Sequence, residues 1–117
     1  MVEPTEQPTS DSGNRPRTRI HVANLGREGA VIRGEEISQV EAERIRKTGG
    51  DVVVCGADHE ANRRLARTIE RNANGVVRAC HPHKNEGKHA LPHFQPLIRP
   101  PEGHSFYETP KLKAKAR

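Results

Sequence analysis

Three consecutive valines, Val52, Val53 and Val54, lead into Cys55, Gly56 and a charged helical segment, and this unit constrains the fold more than anything else in the chain. Three β-branched residues in a row predict a short buried strand, which Gly56 ends. Asp58 is a good N-cap residue. Ala61, Leu65, Thr68 and Ile69 share the inner face of the helix that follows, and Gly75 stops it after about residue 74.

Ahead of this unit, Ile20, Val22 and residues 30–32 are strand-like on either side of a turn at Gly26 and Gly29, which predicts a short hairpin. Residues 34–48 predict a first helix. Glu35 and Glu36 sit in its first turn, Ile37, Val40 and Ile45 share a face, Arg46 and Lys47 fill the last turn, and Gly49 stops it. Beyond the second helix, residues 76–79 predict another strand. Pro82, Pro92, Pro96, Pro100 and Pro101 then exclude long regular structure up to Gly103, leaving mostly loop with a short edge strand around residues 94–98. Residues 104–108 alternate and hold Phe106 and Tyr107, which predicts a final strand that Pro110 ends. The fold class expected is α+β, a small antiparallel-type sheet packed against two helices. Residues 1–19, with Pro4, Pro8 and Pro16 among polar side chains, read as a disordered leader. Residues 20–109 form a single small domain, and Lys111, Lys113, Lys115 and Arg117 make residues 110–117 a basic tail.

At 117 residues the chain is one domain at most, and with two Phe, one Tyr and no Trp its core must come from Val, Ile, Leu and Ala. Twenty Lys and Arg against fifteen Asp and Glu give a formal charge of +5, which favours polyanionic partners such as RNA or DNA, or an acidic protein. No apolar run approaches the roughly 18–20 residues of a membrane span, and the N-terminus lacks a signal peptide's apolar core. Cys55 and Cys80 are too few for a disulfide framework and read as free thiols near strand ends.

Five of the seven histidines, His81, His83, His89, His93 and His104, crowd a segment otherwise rich in Pro, Gly and polar residues. Imidazole exchanges protons near neutral pH and is also the commonest metal ligand. An acid–base reading pairs His93 with His104, with Ser105 and Tyr107 nearby. Cleaving RNA through its own 2′-hydroxyl needs a base, an acid and a positive charge, and no metal. A metal reading takes Cys80, His83, His89 and His93 as zinc ligands, with His81 as a substitute for His83. Against it, Pro92 keeps His89 and His93 off a common helix and the upstream pair of a zinc finger is missing. Arg63, Arg64, Arg67 and Arg71 form a stripe on the second helix that suits phosphates, with Lys88 as a further contact and His59 at the helix N-terminus. The same stripe also reads as an ordinary solvated face.

The segment ALPHFQPLIRPPEGHSFYE, residues 90–108, resembles the closing motif of C-terminal toxin domains of bacterial polymorphic toxins, of the Rhs and contact-dependent inhibition type. There a P-H-[FY]-x-P element precedes a Gly-His-x-Phe-Tyr strand. The DVVVCG strand, the ANRRLARTIE helix and the HPH turn extend the likeness over about half of the chain. Many members are compact RNases, as in the barnase, EndoU, colicin and RelE-like group. The resemblance implies a nuclease whose site includes His93 and His104, with Pro92, Phe94, Gly103, Phe106 and Tyr107 around them. It also implies RNA (tRNA or rRNA) as substrate, an acidic immunity protein as partner, and delivery into a target cell's cytoplasm. A stand-alone relative without export would instead remain cytoplasmic.

Overall fold

The computed structural model describes residues 18–81 and 89–116. The leader up to residue 17, His83, Lys88 and Arg117 lie outside the described residues. The elements run β1 (Arg19–Leu25), a 3-10 turn (Arg27–Gly29), β2 (Val31–Ile37), α1 (Gln39–Lys47), β3 (Val52–Cys55), α2 (His59–Asn74), β4 (Val77–Cys80), β5 (His93–Pro96) and β6 (Ser105–Tyr107). The six strands form one sheet in the order β2-β1-β3-β6-β5-β4. Every neighbouring pair is antiparallel except β3 and β6, which run parallel at the centre with Val52 beside Ser105 and Val54 beside Tyr107. The fold is therefore α+β, a mostly antiparallel sheet with two helices, as the patterning predicts.

Both helices cover one face of the sheet. Ala42 of α1 and Ala66 and Ile69 of α2 pack there against Ile20, Val52, Val54, Phe94 and Tyr107. Because successive strand residues point to opposite faces, Val53, Cys55 and Phe106 lie on the other face, with Ala23 and Val31. Leu91 and Ala114 complete this second cluster, so loop and C-terminal segments rather than helices cover it. The segment beyond Pro110 is held to β2: Lys115 N donates to Val31 O at 2.7 Å and Arg33 N donates to Lys115 O at 2.8 Å. Asp58 caps α2 by accepting from Ala61 N at 3.1 Å, and Gly75, at φ 84°, turns the chain out of it.

Two elements differ from the sequence expectation. The helix expected from residue 34 begins at Gln39, because residues 31–37 extend along β1 as β2 and Ser38 supplies the cap, accepting from Glu41 N at 3.2 Å. Glu35 and Glu36 are thus strand residues. Val40 is 67% exposed, and the residues α1 buries are Ala42 and Arg46. The short strand near residues 94–98 exists as His93–Pro96, but it lies inside the sheet between β6 and β4, and β4 is the edge.

Arg46 is fully buried. Its Nε donates to Glu70 Oε1 at 2.7 Å and its two terminal nitrogens reach Glu70 Oε2 (3.2 Å), Gly50 O (2.7 Å) and Glu102 O (2.9 Å). Glu70 also accepts from Asn74 Nδ2 at 2.6 Å and from the Ser105 hydroxyl at 2.9 Å. Both charges are thereby saturated with hydrogen bonds, the condition under which a buried ion pair is tolerated. Among the described residues no helix is long and apolar enough to cross a membrane.

Replacing one partner of this pair strands the other charge in the interior. Arg46→Met is expected to destabilise the fold by roughly 3–5 kcal/mol in urea unfolding, and Arg46→Met combined with Glu70→Leu to recover most of that loss. Burial, with the Glu108 carboxylate beside it, pushes the Cys55 thiol from 9.0 up to about 12. Native Cys55 therefore resists iodoacetamide near neutral pH and reacts only after unfolding. An unfolded thiol ionises from about pH 9 while the native one holds its proton, so stability falls as pH rises through that window toward 12. Cys55→Ala removes this contribution to the alkaline loss, read from denaturation midpoints across the range.

Candidate active site

His93 opens β5 and sits directly across from Phe106 of β6, so the two share a face of the sheet. His104 lies two residues before Phe106 and reaches the same face. The three rings form one cluster on the side away from the helices. His93 meets His104 edge-on with centroids 4.7 Å apart at 88°, His104 stacks on Phe106 at 4.9 Å and 27°, and His93 contacts Phe106 at 5.1 Å and 65°.

Asp51, just before β3, accepts at a single oxygen, Oδ1, from both the His104 backbone N–H and its Nδ1–H, each at 2.8 Å. A carboxylate on Nδ1 fixes the tautomer and ring plane, and makes Nε2 the atom that exchanges protons. The side chains are partly accessible, His104 27% and Asp51 21%, so a ligand reaches the pair while the protein shields its inner side. His93 Nδ1 lies 3.3 Å from Leu91 O.

The segments carrying Asp51 and His104 are clamped from behind. The Arg46 guanidinium bonds the carbonyl just before Asp51 and that of Glu102, two residues before His104. Gly103, at φ 100°, lets the two backbones touch: a Cβ there would collide with the Arg46 guanidinium and sit 2.6 Å from Gly49 O.

Ser105 and Tyr107 alternate onto the opposite face from the histidines. The Ser105 hydroxyl is buried and donates to Glu70, and Tyr107 stacks on Phe94 at 5.5 Å, inside the core under α2. Strand parity separates both from the ring cluster, so their places are structural. Arg63, Arg64, Arg67 and Arg71 are exposed on the outer surface of α2, with Arg63 over the Phe94 ring at 5.7 Å. That surface lies on the opposite face of the sheet from His93 and His104.

Of the proposed zinc ligands, Cys80 lies opposite His93 in the β4–β5 pair, but its thiol donates to Gln95 Oε1 at 3.3 Å. His89 Nδ1 donates to Lys113 O at 2.8 Å, beside the C-terminal segment. Among the described residues, no three His, Cys, Asp or Glu side chains converge as a metal-holding group. Asp51 is the member of the site that the sequence reading passed over, since an aspartate opening a strand carries no sign of a partner 53 residues away. Compared with protein-family models, curated proteins and solved structures, the chain matches none of them.

Proposed function

We propose that this chain is a metal-independent ribonuclease in which His104 is the base and His93 the acid. The observation that carries this reading is the Asp51–His104–His93 arrangement: an imidazole held at Nδ1 by a carboxylate, partly exposed, and packed edge-to-face against a second imidazole. In the reaction, His104 Nε2 takes the proton of an RNA 2′-hydroxyl as that oxygen attacks phosphorus. The bond from phosphorus to the 5′-oxygen breaks, and protonated His93 gives its proton to the departing oxygen. The products are a 2′,3′-cyclic phosphate and a 5′-hydroxyl, and no water is consumed. Asp51 keeps the His104 ring aligned and offsets the imidazolium that forms, the role of a carboxylate behind a catalytic histidine. The two imidazoles also supply positive charge beside the phosphorane.

The likeness of residues 90–108 to polymorphic-toxin domains extends the proposal to an antibacterial effector. Its substrate is tRNA or rRNA, its partner an acidic immunity protein, and its setting the cytoplasm of a target cell. Growth arrest on expression, relieved by the neighbouring open reading frame, supports that part. Normal growth with soluble, folded protein in the cell counts against it.

The purified chain is expected to cleave total RNA in EDTA and to leave an all-2′-deoxy strand of the same sequence intact. His104→Ala and His93→Ala each lower the rate by about 100- to 10,000-fold without shifting the unfolding midpoint by more than a small amount. Asp51→Asn lowers kcat at least about tenfold and leaves KM unchanged, because it disturbs ring alignment and not substrate contact. RNA left intact at high protein concentration refutes the assignment.

A further inference from the structure

The face of the sheet that carries His93 and His104 has basic residues of its own, apart from those on α2. Arg19 pairs in register with Cys55, His21 with Val53 and Arg33 with Ala23. Cys55, Val53 and Ala23 all belong to the cluster that contains Phe106, so these three basic residues share the face of His93 and His104. Arg19, His21, Arg33, Cys55, Gly56 and Glu108 line a depression of about 440 Å³. It lies toward the end of β3, four residues beyond Asp51, or about 13 Å at the rise of a strand.

The donors in the depression suit a phosphate. His21 Nδ1 donates to Gly34 O at 2.9 Å, which fixes the ring and leaves Nε2 to face a ligand. Arg19 is paired with Glu36 at 3.7 Å, with both side chains about half-exposed, too loose a contact to compete with a bidentate phosphate. The other carboxylate, Glu108, is 5% exposed. Its two oxygens are turned inward to Gly56 N at 3.3 Å and Ala114 N at 2.9 Å. Arg33 lies with Glu108 at the Cys55 thiol and offsets its charge, so the carboxylate does not repel a phosphate in the depression.

The segment after Pro110 adds to this surface. Leu112 and Ala114 turn inward, while Lys111, Lys113 and Lys115 are exposed at every second residue over the same face. We infer that this face is a track for a single polynucleotide strand, with the Arg19–His21–Arg33 depression holding one phosphate and the three lysines steering the chain across it. The inference rests on the ribonuclease reading only for where the scissile phosphate lies, at His93 and His104.

The test is anisotropy of a fluorescent, fully 2′-O-methylated RNA oligonucleotide, which binds without being cleaved, measured over a range of salt. Each phosphate contact on a single strand contributes about 0.7 to the log–log salt slope. Arg19→Gln with Arg33→Gln is expected to lower the slope by about 0.7, the share of one phosphate, and weaken binding several-fold. Arg19→Gln alone, at an exposed side chain that the fold does not need, lowers the slope by about half as much. Arg64→Gln, Arg67→Gln and Arg71→Gln together leave binding unchanged. Loss confined to the α2 variant, or no binding by the unaltered protein at low salt, overturns the track. Cleavage of RNA with binding indifferent to Arg19 overturns the track alone. Binding that follows the expected pattern without any cleavage supports the track and sinks the ribonuclease.

Discussion

A guanidinium with no access to water organises this small fold. Arg46 and Glu70 join the two helices to one another, and through Gly50 O, Glu102 O and the Ser105 hydroxyl they join both helices to the strand entrances of the sheet. With so few aromatic residues, apolar burial alone specifies the packing of such a core loosely. Four directed hydrogen bonds from one side chain specify it tightly. The cost is desolvation of two charges, and the saturation of Glu70 by four donors is what makes that cost bearable. The segments fixed this way are the ones that bring Asp51 and His104 together, so core and candidate site share one set of constraints.

Parity along the strands divides the molecule into a side covered by the helices and a side that carries the histidine cluster. Along β6, Ser105 and Tyr107 face the helices while Phe106, with His104 before it, lies on the other face. Moving this strand by one residue against β3 would exchange the two sets, putting imidazoles under α2 and a tyrosine on the surface. The parallel pairing of β3 with β6 and the Ser105–Glu70 hydrogen bond set that register. The division also separates the charges. The α2 arginines serve the helical side, and the basic residues of β1, β2 and the C-terminal segment serve the other.

The strand-to-helix unit from Val52 to Asn74 was legible because its signals are local: three β-branched residues, an N-cap aspartate, a helical period and a terminal glycine. The start of α1 was not, since Glu35 and Glu36 suit a helix N-terminus as well as an exposed strand, and pairing with β1 decides between them. His93 and His104 stood out by residue type and crowding. Asp51 did not, because its meaning comes from a contact across the sheet. Arg46 reads as a cation of a helix's last turn, and nothing in its neighbours signals the glutamate 24 residues on that meets it inside. The spacing of the α2 arginines places them on the helix surface, but a helical period cannot tell which side of a sheet the helix will cover.

The parallel contact between β3 and β6 also sets when the molecule becomes itself. Its two strands are separated by all of α2, β4 and β5, so the centre of the sheet closes only after a long loop has been drawn together. Everything up to β5 can be synthesised and begin to pack while the place beside β3 stays empty. Asp51 then has no imidazole to hold, and Glu70 lacks the hydroxyl of Ser105. Residues 105–107 must enter the gap before either half of the sheet is joined to the other, so one short strand late in the order of the chain completes the contacts of both Asp51 and Glu70.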